Sequence, residues 1–154
     1  MARIRPGALL SALVCAAALC LSGTMHAGAA ETPRPFYVED IKDAMHKHIA
    51  KSVDAKGVFH LRDDRTGETL ALRFVKIHDP VRKIDDSTYF ACTDFAVEGE
   101  PDKLYDIDFW LRPDGEVLVN YDTKVHKEPR KSLLYGWYKY PRYTFVNDKV
   151  VTLY

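Results

Sequence analysis

Between Ser87 and His126 the chain repeats one pattern three times: side chains of two kinds alternate along a run rich in β-branched and aromatic residues. The runs are STYFACTDFAV (Ser87–Val97), LYDIDFWLR (Leu104–Arg112) and EVLVNYDTKVH (Glu116–His126). Strand side chains alternate between the two faces of a sheet, so each run presents one core face. Those faces are Tyr89, Ala91, Thr93 and Phe95 in the first; Tyr105, Ile107, Phe109 and Leu111 in the second; and Val117, Val119, Tyr121, Thr123 and Val125 in the third. A slip of one residue would turn a whole set toward water, so parity fixes the register.

The reverse faces are where chemistry could sit. Pro113-Asp114-Gly115 suits a three-residue hairpin loop with a left-handed glycine. Closing it with Arg112 opposite Glu116 sets Asp108 against Asn120 and Asp106 against Asp122. The same parity sets Asp94 beside Asp106 and Cys92 beside Asp108. The expectation is a row of three carboxylates, Asp94, Asp106 and Asp122, with Asp108 next to them and an apolar strip of Phe90, Trp110 and Leu118 alongside.

Like charges opposite each other destabilise a sheet. The favoured remedy is an ordinary solvated face with Lys124, Arg73 or Lys76 nearby. The alternatives are a hard divalent cation such as calcium, which takes several oxygen ligands, and carboxylates of raised pKa doing acid–base work. No cofactor is predicted beyond that cation.

Upstream, Phe36–Val53 places Val38, Ile41, Met45, His48/Ile49 and Ser52 on one helical stripe. Gly57 suits the left-handed position past the last turn. Strands are expected at Val58–Arg62 and Glu68–Ile77, and EGEPDK reads as a loop. Tyr135–Phe145 is strongly aromatic and broken by Pro141, which implies an edge or bent strand. Tyr135 and Trp137 point one way and Tyr138 and Tyr140 the other; a part-buried edge is favoured over a binding strip. A short strand closes the chain at Lys149–Leu153.

Residues 1–30 have the three-part pattern of a cleavable signal peptide: Arg3 and Arg5, the apolar run Ala8–Leu21, then small residues ending at Ala30. The apolar run is shorter than the roughly 20 residues of a membrane span. Residues 31–154 are then one domain with a periplasmic or secreted location. Without Arg3 and Arg5 it carries 20 basic against 22 acidic side chains, a balance that gives no footprint for nucleic acid and no stable membrane anchor. The expected partner is an envelope protein or a small ligand. Cys15 and Cys20 leave with the signal, and Cys92 remains as a single thiol, favoured as a buried small hydrophobe.

His78 and His126 each end a strand, and with Cys92 or an Asp they could build a zinc or copper site. No CxxC or HxxxH spacing supports it, so a structural role is favoured. An internal echo at an offset of 48 relates Gly67-Glu68-x-Leu70…Lys76-x-His78 to Gly115-Glu116-x-Leu118…Lys124-x-His126.

One helix followed by an antiparallel meander resembles the cystatin-like and nuclear-transport-factor-like folds. TYFACTDF, YDIDFW and KVHK resemble segments of small secreted or periplasmic bacterial proteins to which no activity attaches. The chain contains no Gln, so it lacks the glutamine-valine-glycine signature of inhibitory cystatins. The fold class expected is α+β, an N-terminal amphipathic helix on a curved antiparallel sheet. With no nucleophile–base pair and no phosphate-cradling glycine loop, a non-catalytic binding or accessory module leads. A small enzyme with an acidic pocket between helix and sheet, or a metal-binding envelope protein, are the competing readings.

Overall fold

The computed structural model describes residues 34–153; the segment read as a signal peptide, with Cys15 and Cys20, lies outside them. No helix among the described residues is long and apolar enough to cross a membrane.

The architecture is α+β. Helix α1 (Val38–Ser52) opens the fold, with the Asp40 carboxylate accepting the Tyr37 N–H at 2.9 Å. Ile41, Met45 and Ile49, four apart on one stripe, are its buried residues. The helix ends earlier than the position of Gly57 implied. Val53 is already extended and bridges Phe59. Gly57, at φ +77°, instead closes a separate turn with Asp54.

The strands are β1 (Phe59–Arg62), β2 (Thr69–Ile77), β3 (Arg82–Lys83), β4 (Tyr89–Val97), β5 (Glu100–Asp114), β6 (Val117–Ser132), β7 (Gly136–Pro141), β8 (Tyr143–Val146) and β9 (Lys149–Thr152). The first seven form one antiparallel sheet in the order β1-β2-β4-β5-β6-β7, with β3 also paired to β4; β8 and β9 form a separate hairpin. EGEPDK is not a loop: the turn is confined to Glu98–Gly99 and β5 begins at Glu100.

Parity holds on β4 and β5. Tyr89, Ala91, Phe95, Ile107, Phe109 and Leu111 join Ile41, Met45 and Ile49 in one buried apolar cluster. Their alternates Phe90 and Trp110 form a second cluster with Tyr143, against which Ile84, Cys92 and Phe145 pack.

Parity fails on the first half of β6. The β5–β6 hairpin closes at Asp114–Val117, not at Arg112–Glu116. That odd offset sends Leu118 into the helix-side cluster and leaves Val117 and Tyr121 about half exposed. Leu118 therefore is not part of the strip with Phe90 and Trp110. Register shifts at Trp110/Leu111 and again at Asp106/Ile107; each inserts an extra β6 residue and reverses which alternate faces in. After the first shift Val125 is buried as expected.

Candidate metal centre

On the reverse face of β4 and β5, Asp94 lies opposite Asp106 and Cys92 opposite Asp108, the expected pairs. Asp122 is not in the row. It lies opposite Trp110, its side chain is 41 % exposed, and it pairs with Lys124 at 3.3 Å. The solvated face is also overturned: Asp94, Asp106 and Asp108 are 4 %, 0 % and 0 % exposed. Arg73 is occupied with Glu98, and the cations that meet the carboxylates come from β6 and β7.

Each carboxylate has its own partners. Asp94 Oδ1 accepts from Lys139 Nζ at 2.6 Å and faces His78 Nε2 at 3.0 Å. Burial works against its charge, but these two partners outweigh it and hold its pKa below the ordinary value. Asp106 contacts the Cys92 thiol through Oδ1, and its Oδ2 lies 3.0 Å from Lys127 Nζ. Burial would lower the Lys127 ammonium, yet the contact with Asp106 raises it. Asp108 Oδ2 accepts from the Tyr143 hydroxyl at 2.6 Å and lies 3.3 Å from His126 Nδ1.

Cys92 is pushed well above the usual thiol range, by burial first and then by the charges of Asp108 and Asp106. Burial, reinforced by Asp108, does the same to Tyr143. Both groups therefore keep their protons, and Tyr143 donates.

The cover over this face is the β8–β9 hairpin. Arg142, just before β8, is buried; it grips Asp63 through two hydrogen bonds of 2.6 Å and Glu128 through a third of 2.8 Å. Its backbone N–H donates to the His126 carbonyl at 2.8 Å. Tyr143 follows, stacked on the His126 ring with centroids 4.6 Å apart. Sequence parity could not reveal Arg142, Tyr143, Lys139 or Asp63, because none belongs to the strands read as forming the row, nor Lys127, because β6 runs past the His126 end expected for it. The histidines were visible in the sequence, as strand-end residues weighed for a metal site with Cys92 or an Asp and as the paired ends of the internal echo. The echo places His78 after β2 and His126 on β6, the two strands flanking β4 and β5, and each histidine reaches a carboxylate of that pair.

Two sets of donor atoms converge. Cys92, Asp106, Asp108 and His126 each offer one atom within 4.8 Å of all the others, as do His78, Asp94 and Asp106. In the second set Lys139 already supplies the positive charge. In the first, three buried atoms lack an aligned hydrogen bond: Asp106 Oδ2, Asp108 Oδ1 and His126 Nδ1. Lys127 is near enough to Asp106 for an ion pair but out of line for a hydrogen bond. Buried polar atoms left without a hydrogen bond are costly unless something fills the site.

The remaining expected site residues lie apart. Trp110 is buried in the second apolar cluster, whereas Tyr135 and Trp137 are 82 % and 37 % exposed at the far end of the β6–β7 hairpin. Three surface clefts of about 320, 390 and 360 Å³ are lined by residues other than Cys92, Asp106, Asp108 and His126. No family model, curated protein or solved structure matches the chain.

Proposed function

We propose that this protein is a non-catalytic binding module acting outside the cytoplasm, and that its ligand is a transition-metal cation held by Cys92, Asp106, Asp108 and His126. The observation that carries this reading is the set of three buried atoms without an aligned hydrogen bond, Asp106 Oδ2, Asp108 Oδ1 and His126 Nδ1, beside the Cys92 thiol. The first and last have ion-pair contacts with Lys127 and Asp108, and Asp108 Oδ1 has neither. One sulfur, one imidazole nitrogen and two carboxylate oxygens make a four-donor set suited to tetrahedral zinc. Calcium, the cation considered for an all-carboxylate row, prefers oxygen alone. Burial beneath Tyr143 favours holding the ion over turning over a substrate, since a catalytic metal keeps an open position. The order of helix and meander supports a cystatin-like relationship, and the signal-like residues 1–30 support a periplasmic or secreted setting.

Cobalt(II) tests the reading directly. Added to metal-free protein, it should produce a thiolate-to-cobalt charge-transfer band and tetrahedral ligand-field bands, and zinc should bleach both. Cys92→Ala should abolish the charge-transfer band, and Asp108→Asn should weaken binding while leaving the fold intact. A wild-type protein that gives no band and no zinc-dependent rise in melting temperature refutes the assignment.

A further inference from the structure

The β6–β7 hairpin ends in a feature that the metal centre does not use. Strands β6 and β7 close at Ser132–Gly136 around Leu133, Leu134 and Tyr135, with Gly136 at φ +70°. Loops of this length ordinarily carry polar turn formers. Here Leu133, Leu134 and Tyr135 are 106 %, 83 % and 82 % exposed, and Tyr138, beside them on β7, is 42 % exposed. The tip forms no part of either buried cluster.

The sequence around it is basic. No acidic residue occurs between Glu128 and Asp148, while Arg130, Lys131, Lys139 and Arg142 do. In space, however, Arg130 pairs with Glu128 at 2.9 Å, Lys139 with Asp94 at 2.6 Å, Arg142 with Asp63 and Lys103 with Glu100. Lys131 is thus the cation at the tip with no acidic partner among the described residues. Arg130 and Lys131 are exposed. Lys103 and Lys131 lie 4.6 and 5.9 Å from the Trp137 ring. Protruding leucines backed by tryptophan and tyrosine, with Lys131 opposite Trp137 and Arg130 opposite Tyr138 on the paired strand, combine an apolar tip with the aromatic and basic residues that favour a membrane interface.

We propose that the β6–β7 tip inserts Leu133, Leu134 and Tyr135 into the surface of a phospholipid bilayer bearing anionic headgroups, with Trp137 and Tyr138 at the interface and Lys131 against the phosphates. This is reversible peripheral contact through a short apolar wedge, not an anchor. It stands independently of the metal, since the tip shares no residue with Cys92, Asp106, Asp108 or His126.

The test is sedimentation with vesicles of pure phosphatidylcholine and of phosphatidylcholine mixed with phosphatidylglycerol. It compares wild type with a Leu133→Ser/Leu134→Ser variant that is identical throughout residues 1–132, with and without a chelator. Wild type should bind the anionic vesicles in a salt-sensitive way, and the variant should partition about tenfold or more weakly. Both proteins should share one melting temperature. Tryptophan emission should shift to the blue on binding, and Trp137→Phe should remove that shift because Trp110 is already buried. Equal partitioning of wild type and variant overturns the proposal, as does absence of wild-type binding. A concentration-dependent dimer that the variant abolishes overturns it too, by making a second copy the occupant.

Discussion

His126 and Lys127 are consecutive, yet both reach carboxylates on the same face of the sheet: His126 Nδ1 lies 3.3 Å from Asp108 and Lys127 Nζ 3.0 Å from Asp106. In an unbroken strand they would point to opposite faces. The register shift between Asp106 and Ile107 removes that alternation. One bulge therefore delivers an imidazole to the donor set and an ammonium to its rim.

The ammonium should stabilise the metal-free fold and oppose the metal. Lys127→Met leaves Asp106, 0 % exposed, without its cation. Breaking a fully buried pair costs roughly 3–5 kcal/mol; with a third of Lys127 exposed, about 2 kcal/mol is expected. Urea unfolding in chelator should show that loss, and calorimetric titration should show zinc binding more tightly than to wild type. If neither quantity moves, Lys127 is not the counter-ion of Asp106.

Zinc affinity should depend steeply on pH. Burial, then the charges of Asp108 and Asp106, keep the Cys92 thiol protonated at neutral pH. A metal must displace that proton, so affinity should rise about tenfold per pH unit between about pH 6 and 8. In Cys92→Ala, whatever weak binding survives should lose about one unit of that slope. A wild-type affinity independent of pH means that the thiol is not a ligand.

The Asp63–Arg142 pair holds the cover in place and should govern acid stability. Arg142 lowers the Asp63 pKa well below the carboxylate range, chiefly through their hydrogen bonds. A lowered folded value contributes stability that is complete above the unfolded pKa of about 3.9 and is lost as pH falls below it. Melting temperature should thus drop below about pH 4 in wild type and drop less in Asp63→Asn. Arg142→Met strands Asp63, 1 % exposed, and should cost about 3–5 kcal/mol at pH 7. A flat acid profile common to wild type and Asp63→Asn removes the pair from this role.

The heart of the centre was legible because β4 and β5 each alternate without interruption inside the stretch that matters. Asp94, Cys92, Asp106 and Asp108 therefore followed from parity alone. What parity could not supply was the cover. Arg142 and Tyr143 lie beyond Pro141, and their side chains meet Asp63 and Asp108 only because a hairpin folds over a face that looked solvated. Lys127 escaped notice because it lies one residue past the run read as a strand, which ended at His126, whereas β6 continues to Ser132. The internal echo, in contrast, marks two histidines that flank the carboxylates, His78 just past the end of β2 and His126 within β6.

The first half of β6 offers the sharpest test of the register itself, because sequence alternation and the observed pairing disagree there residue by residue. Alternation from Val125 back to Val117 makes Val117 a core residue and Leu118 an outward one. The observed closure at Asp114–Val117, followed by an extra residue near Tyr121, inverts this. Leu118 is 8 % exposed and Val117 56 %. Leu118→Ala should then cost about 2–4 kcal/mol through lost burial and a residual cavity. Val117→Ala should stay within about 0.5 kcal/mol, as exposed substitutions do. Urea unfolding of the two variants decides between the registers, and the reverse order of costs would mean that the hairpin closes at Arg112–Glu116, where Asp122 would face Asp106.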